Sequence, residues 1–197
     1  MSLELKIRNK TVHIHYNAPA TVTFSILCLL VLLLDAITKQ SSTVLLFSVY
    51  RCSLSTPWAY IRFFTHVLGH VDISHLIGNI TLILVLGPGL EERYGSAQLL
   101  FAMLLTALLS GLAEFLLFPN TMLLGASGIV FLMVVMSSVT EVRNHDIPIT
   151  LILVFLLYIG GEVVDALTVH DNISQLSHII GGVSGAVLGL KMRRGKR

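Results

Sequence analysis

Charged residues are scarce in this chain of 197 residues: they make up 12% of it, whereas hydrophobic residues make up 54%. A water-soluble domain of this length could not bury so much apolar side chain, so the composition excludes an ordinary soluble protein. The net charge is only +2, and the sequence has no dense surface of basic and aromatic residues. This excludes a nucleic-acid-binding protein and makes the lipid bilayer the expected partner.

Cysteine is nearly absent, with Cys28 inside an apolar run and Cys52 in a more polar connection. Two cysteines so placed give no disulfide or metal framework. A metal site built on His66, His70 and His75 is an alternative, but there is no HExxH motif, and no cysteine or carboxylate completes such a ligand set. We therefore expect neither a metal nor a cofactor.

Long apolar runs dominate what remains. They are longer than the alternating stretches of about 10 residues that form membrane β-strands, and runs of about 18 apolar residues predict membrane-spanning helices. The sequence predicts an all-α membrane protein, a bundle of six transmembrane helices. The predicted spans are residues 20–37, 73–90, 97–118, 127–139, 147–165 and 175–192.

The flanks of this membrane domain, residues 20–192, indicate its orientation. Residues 1–19 are polar and carry three basic side chains, and residues 193–197 form a basic tail. An even number of spans puts both termini on one side, and basic flanks favour the cytoplasm. No clear cleavage site follows the first apolar run, so we expect an uncleaved anchor. The compact plan suggests a bacterial inner (plasma) membrane.

Two connections are informative. Residues 38–72 are rich in aromatic side chains and carry Arg51 and Arg62, a composition typical of the membrane interface. We expect this first outer loop to be partly helical and partly embedded in the outer leaflet. Residues 87–96, "GPGLEERYGS", are punctuated by glycine and proline and predict a cytoplasmic turn that ends the second span.

Polar side chains inside the predicted spans are costly and mark a cavity or a site. The candidates are His75 and Asn79 on the second span, Glu114 in the third, Ser127 at the start of the fourth and His178 in the last, with Asp35 and Glu162 near span ends. In the predicted orientation His75, Asn79, Ser127 and His178 all lie in the outer half of the membrane. A helix from Ser127 to Thr140 rises only about 21 Å in a core about 30 Å thick, so we expect Ser127 in a water-containing recess.

Ser127 and His178 have the chemistry of a nucleophile and its base, because a serine hydroxyl reacts only when a neighbouring group takes its proton. The oxyanion that forms needs hydrogen-bond donors already in place. The backbone N–H of Ser127 and the side chains of His75 and Asn79 are the candidates. No acidic third member lies at this depth, so the sequence predicts a Ser–His dyad.

Small residues surround both members of the dyad. Gly125 and Gly128 flank the serine, and Gly181, Gly185 and Gly189 follow the histidine of the last span at a spacing of four. Glycines let two backbones approach closely. We therefore expect close contact between the fourth and last spans.

Four segments resemble the signatures of a known family, the rhomboid intramembrane serine proteases. "GASG" resembles its GxSG nucleophile motif, and "HVLGHVDISHLIGN" resembles its histidine run that ends in HxxxN. "SHIIGGVSGAVLG" resembles its last-span histidine with spaced small residues, and "EERYGS" resembles its ExRxGS turn. The resemblance covers about residues 60–190, in order.

The resemblance implies a nucleophile, a base and an oxyanion hole at residues already singled out: Ser127, His178, and the pair His75 and Asn79. It also implies structural roles for Glu91 and Arg93. Well-known members have a tyrosine four residues after the serine, where this chain has Phe131. Its ring can still stack on the histidine, but it supplies no hydroxyl.

We therefore expect a serine endopeptidase that cleaves transmembrane segments of other membrane proteins near their outer ends. The alternative is a catalytically inactive rhomboid-like protein that binds membrane clients, although such a protein usually lacks one member of the pair. A lone membrane serine is more often a packing residue, and a small transporter would carry polar residues through both leaflets. The sequence leaves the oligomeric state and the substrate open.

Overall fold

A computed structural model of the protein describes residues 2–7, 10–139, 149–154, 156 and 172–192. Within these ranges the chain is mostly helical. The helices are α1 (Pro19–Thr38), α2 (Ser41–Leu46), α3 (Pro57–Thr65), α4 (Ile73–Tyr94), α5 (Ser96–Leu117), α6 (Ser127–Val139), α7 (Ile149–Val154) and α8 (Asn172–Lys191). Two antiparallel strand pairs accompany them: β1 (Ser2–Ile7) with β2 (Lys10–His15), and β3 (Val49–Tyr50) with β4 (Met122–Leu123).

Three helices in the described part of the chain are long and apolar enough to cross a membrane, namely α1, α4 and α5. Helix α6 is equally apolar but has only 13 residues, and it begins at Ser127 as the sequence predicts. Large side chains such as Leu30 and Leu33 on α1 are about half exposed, which suits contact with lipid rather than water. The protein is therefore an integral membrane protein of helical architecture.

Some predicted segments fall outside the described residues. The predicted fifth span, residues 147–165, is described only at α7 and residue 156, and the basic tail 193–197 is not described. The count of six spans and the cytoplasmic placement of both termini therefore stay predictions.

The turn predicted at residues 87–96 is wrong over most of its length. Helix α4 continues through Pro88 to Tyr94, and the chain turns only at Gly95, where φ is +86°. A proline costs a helix one N–H donor, whereas unwinding the last two turns would break several backbone hydrogen bonds. Gly87 also sits against α1, since a Cβ there would lie 2.5 Å from Thr21 Cγ2.

The first loop is partly helical, as expected, with α2, α3 and a 3₁₀ turn (His66–Leu68). Arg62 of α3 is only 4% exposed and lies over the Tyr50 ring, 4.2 Å from its centroid. Trp58 and Tyr60 are about half exposed on the same helix. Exposed aromatic rings beside a buried cation fit an interfacial segment, and its embedding in the outer leaflet stays a prediction.

Sequence reasoning missed the N-terminal hairpin. Strands β1 and β2 pair in register from Ser2 with His15 to Ile7 with Lys10. The available signal was alternation of apolar and polar residues in "SLELKI" and "TVHIH", which is typical of a strand.

Glu91 caps the start of α1. Its Oε1 accepts from the Ala20 N–H (2.8 Å), and its Oε2 accepts from the N–H (3.0 Å) and hydroxyl (2.8 Å) of Thr21. The residue before the helix, Ala18, has no side chain that can do this. A carboxylate there satisfies free N–H groups and complements the helix dipole. Arg93 lies in the same last turn of α4.

Helices α6 and α8 pack with their backbones almost touching, which confirms the predicted contact. A Cβ on Gly181 would lie 2.2 Å from the Gly128 carbonyl oxygen, and one on Gly185 would lie 2.5 Å from that of Leu132. Real Cβ atoms do not approach so closely. Gly181 and Gly185 are therefore required by this packing.

Replacing Gly181 with alanine should destabilise the protein by about 1–3 kcal/mol, because the added methyl overpacks the α6–α8 contact. The matched control is Gly182→Ala, whose Cβ would meet only Val135 at an ordinary 3.6 Å. That variant should leave the free energy of unfolding unchanged or raise it by up to about 1 kcal/mol, because alanine has a higher helix propensity than glycine. Unfolding in mixed detergent micelles measures both, and equal losses would contradict the packing described.

Candidate active site

Ser127 stands at the first residue of α6, after a sharp bend in the chain. Gly125 has φ of +123°, a conformation that residues with a side chain rarely adopt. Its N–H donates to the carbonyl oxygen of His66 (3.0 Å), which ties the bend to the first loop. The half-buried Ser127 is thereby presented at a helix N-terminus, where free N–H groups favour negative charge.

His178 lies on α8, beside the start of α6. Its ring stacks on that of Phe131, with centroids 4.2 Å apart and planes 9° from parallel. The neighbouring Ser177 faces Gly128, since a Cβ on that glycine would lie 2.8 Å from the Ser177 Oγ. The residues next to the serine and next to the histidine thus meet across the helix contact. The stack expected at Phe131 is present without a phenol.

His75 and Asn79 approach the same place from α4. The His75 ring lies against Gly125, where a Cβ would be 2.8 Å from Cε1 and 3.0 Å from Nε2. Asn79, one turn further along, is 7% exposed, and its Nδ2 donors have no hydrogen-bond partner among the described residues. A buried amide without an acceptor is costly in an ordinary core. It is the expected state of a group kept ready to bind an anion.

Asp72 holds the start of α4, a role that sequence reasoning did not assign. Its Oδ1 accepts from the His75 N–H (2.8 Å) and from the Ser74 hydroxyl (2.9 Å). The bond from the His75 backbone lowers the pKa of this carboxyl. The available signal was an aspartate just before an apolar run, which is typical of an N-cap.

His66 and His70 are each 1% exposed, so neither is a surface group. The His66 Nε2–H donates to the Ala107 carbonyl (3.1 Å), and the His70 Nδ1–H donates to that of Leu68 (3.1 Å). The His70 ring also meets His75 edge-on, with centroids 5.1 Å apart. Both order the first loop against the bundle. In the described ranges, no three His, Cys, Asp or Glu side chains are grouped as a metal site would require.

The arrangement brings a hydroxyl, an imidazole and buried donors to one end of the bundle. The nucleophile candidate is on α6, the base candidate on α8, and the donors on α4. Such an arrangement has the parts for acyl transfer through a serine.

Burial lowers the pKa of His66 and of His70 to about 4, whereas unfolded imidazoles titrate near 6.5. Between these values the unfolded chain binds more protons, so stability is full above pH of about 6.5 and falls as the pH drops toward 4. We predict a lower Tm in detergent at about pH 4.5 than at about pH 7.5. The double variant His66→Gln/His70→Gln should lose part of this dependence; an unchanged drop in Tm would contradict the assignment.

Comparison with known proteins gives the same family as the sequence motifs, the rhomboid family. A family profile described as "Rhomboid domain" matches residues 57–195. A curated relative, "Rhomboid-related protein 1" of Caenorhabditis elegans, is 28% identical over 137 residues, which is 65% of this chain. The match covers 38% of that relative, so this chain corresponds to little more than a third of it.

The matched residues include α3 to α8 and with them His75, Asn79, Ser127 and His178. The chain belongs to the rhomboid family.

Proposed function

We propose that this protein is an intramembrane serine endopeptidase that cleaves transmembrane segments of other membrane proteins by a Ser–His dyad. The observation that carries the proposal is the meeting of α6 and α8 at the Phe131–His178 stack, one helical turn from Ser127. Helix packing alone does not require an imidazole stacked on an aromatic ring at that point. A catalytic base beside a serine hydroxyl does require an imidazole that is held in one orientation.

The reaction begins with attack of the Ser127 Oγ on the scissile carbonyl carbon. His178 takes the hydroxyl proton and then gives it to the leaving amine. The negative charge on the carbonyl oxygen is held by the Ser127 N–H and by donors on His75 and Asn79. A water molecule, activated by His178, then hydrolyses the acyl-enzyme and releases the second product.

Membrane placement defines the substrate class. With six spans and both termini in the cytoplasm, the dyad lies in the outer half of the bilayer. A transmembrane helix that reaches it must unwind locally, because its carbonyl groups are engaged in its own hydrogen bonds. We therefore propose cleavage near the outer ends of substrate helices, at segments that unwind readily, and entry of water from the outer side.

The second candidate function is binding without cleavage, as in a catalytically inactive relative. Family membership is compatible with both functions, and so is the name of the curated relative. The Asn79 Nδ2 donors have no partner among the described residues and are available to an oxyanion, which supports catalysis.

Cleavage of a reporter transmembrane substrate in liposomes should be abolished by Ser127→Ala and by His178→Ala, because each removes one half of the dyad. The matched control is Ser138→Ala, which deletes a buried hydroxyl on the same helix that donates to the Val134 carbonyl (3.0 Å). That control should cleave at the wild-type rate. Cleavage by folded Ser127→Ala would refute the mechanism, and a folded wild type inactive on several substrates would favour binding only.

The stack on His178 should matter through the ring and not through a hydroxyl. Phe131→Leu should lower kcat/KM by about tenfold, the value of a lost aromatic contact that orients the base. Phe131→Tyr keeps the ring and should stay within about twofold of the wild type. If leucine supports full activity, or if tyrosine is as damaging as leucine, the stack does not position His178.

A further inference from the structure

Residues 118–126 join α5 to α6 and end immediately before Ser127. Hydrogen bonds hold this connection at β4, at Gly125 and at Thr121. Strand β4 pairs with β3, the Gly125 N–H donates to the His66 carbonyl, and the Thr121 hydroxyl donates to Glu114 Oε1 (2.6 Å). The first two are backbone contacts with the first loop. The third is made by side chains and ties residues 118–126 to α5.

Glu114 is an unusual residue to find at this point. It lies three residues before the end of α5, a helix apolar enough to cross a membrane, and only 2% of it is exposed. An ionisable group buried in such a helix is costly and is retained for a purpose. The bond from Thr121 is short, as expected for a hydroxyl that donates to a carboxylate.

The Thr121 hydroxyl has one proton, and it donates that proton to Glu114. Its Oγ1 lies 2.6 Å from Glu114 Oε1 and 3.2 Å from the Phe118 carbonyl, so the carboxylate is the nearer acceptor. Thr121 directly precedes β4, and Ser127 follows six residues later. Within those six residues the backbone has little freedom, because β4 is paired and Gly125 is bonded. A shift at Thr121 is therefore passed to the backbone of Ser127.

We propose that Glu114 and Thr121 form a latch that positions the Ser127 N–H in the oxyanion hole. The inference rests on the proposed function. Both are positioning residues, since neither is placed against the substrate. A carboxylate that only stabilised α5 would have no need of a partner in the connection to α6. In the latch, the Glu114 carboxylate holds Thr121 and thereby fixes the position at which α6 begins.

The variants are chosen to remove the hydroxyl and keep the shape. Thr121→Val deletes the donor, and Thr121→Ser keeps it. The matched control is Thr81→Val, the same exchange at an exposed position on α4. Displacement of one oxyanion donor should lower kcat for a reporter transmembrane substrate by about tenfold or more in Thr121→Val, with KM within about twofold. Thr121→Ser and Thr81→Val should both stay within about twofold of the wild-type kcat.

A double-variant cycle tests whether Thr121 acts through Glu114. The double variant Glu114→Ala/Thr121→Val should lose no more kcat than the more damaging single variant, because both remove the same bond. Multiplicative losses would overturn the latch. So would a Thr121→Val enzyme with wild-type kcat, or a Thr121→Ser enzyme as impaired as Thr121→Val.

Hydrogen exchange separates failure of the latch from failure of the proposed function. The peptide that spans residues 119–127 should exchange faster in Thr121→Val than in the wild type, and its exchange rate should be unchanged in Thr81→Val. Both results are expected whether or not the protein cleaves any substrate. Unchanged exchange in Thr121→Val overturns the latch. Inactive wild-type protein with faster exchange in that variant overturns the protease assignment and leaves the contact between Thr121 and Glu114 supported.

Discussion

The contact of two helix backbones with no side chain between them is the constraint on which the rest of this structure depends. Gly128 on α6 and Gly181 on α8 leave space for a carbonyl oxygen and nothing more. Lipid chains are as apolar as leucine, so membrane helices are held together by close packing rather than by exclusion of water. At this separation, Phe131 and His178 meet face to face. A wider helix pair would break this ring contact.

Polar side chains hold the ends of the helices around this contact. Glu91 satisfies the first N–H groups of α1, Asp72 those of α4, and Glu114 binds the connection that leads into α6. Helix ends need such partners most where water is scarce. The buried Nδ2 of Asn79 has no hydrogen-bond partner among the described residues, so its donors are available to a ligand.

The sequence was most informative where one residue type has one physical meaning. Apolar length predicted α1, α5 and the start of α6, and the glycine spacing predicted the α6–α8 contact. It failed at Pro88, because the residues on either side of the proline, Gly87 and Glu91, pack on and bond to α1, a tertiary contact that the proline rule does not include. The latch at Thr121 was also beyond reach, since it joins side chains whose proximity depends on the whole bundle. The roles of Ser127 and His178 in catalysis stay a proposal that the geometry supports.

Mass spectrometry of the protein after reaction with a fluorophosphonate tests the central claim most directly. Such a reagent phosphonylates a serine hydroxyl only when a base has activated it. We predict a single adduct on the peptide that contains Ser127 in the folded wild type, and none in His178→Ala. An adduct that forms equally without His178, or a folded wild type that takes up no reagent at Ser127, would contradict the dyad.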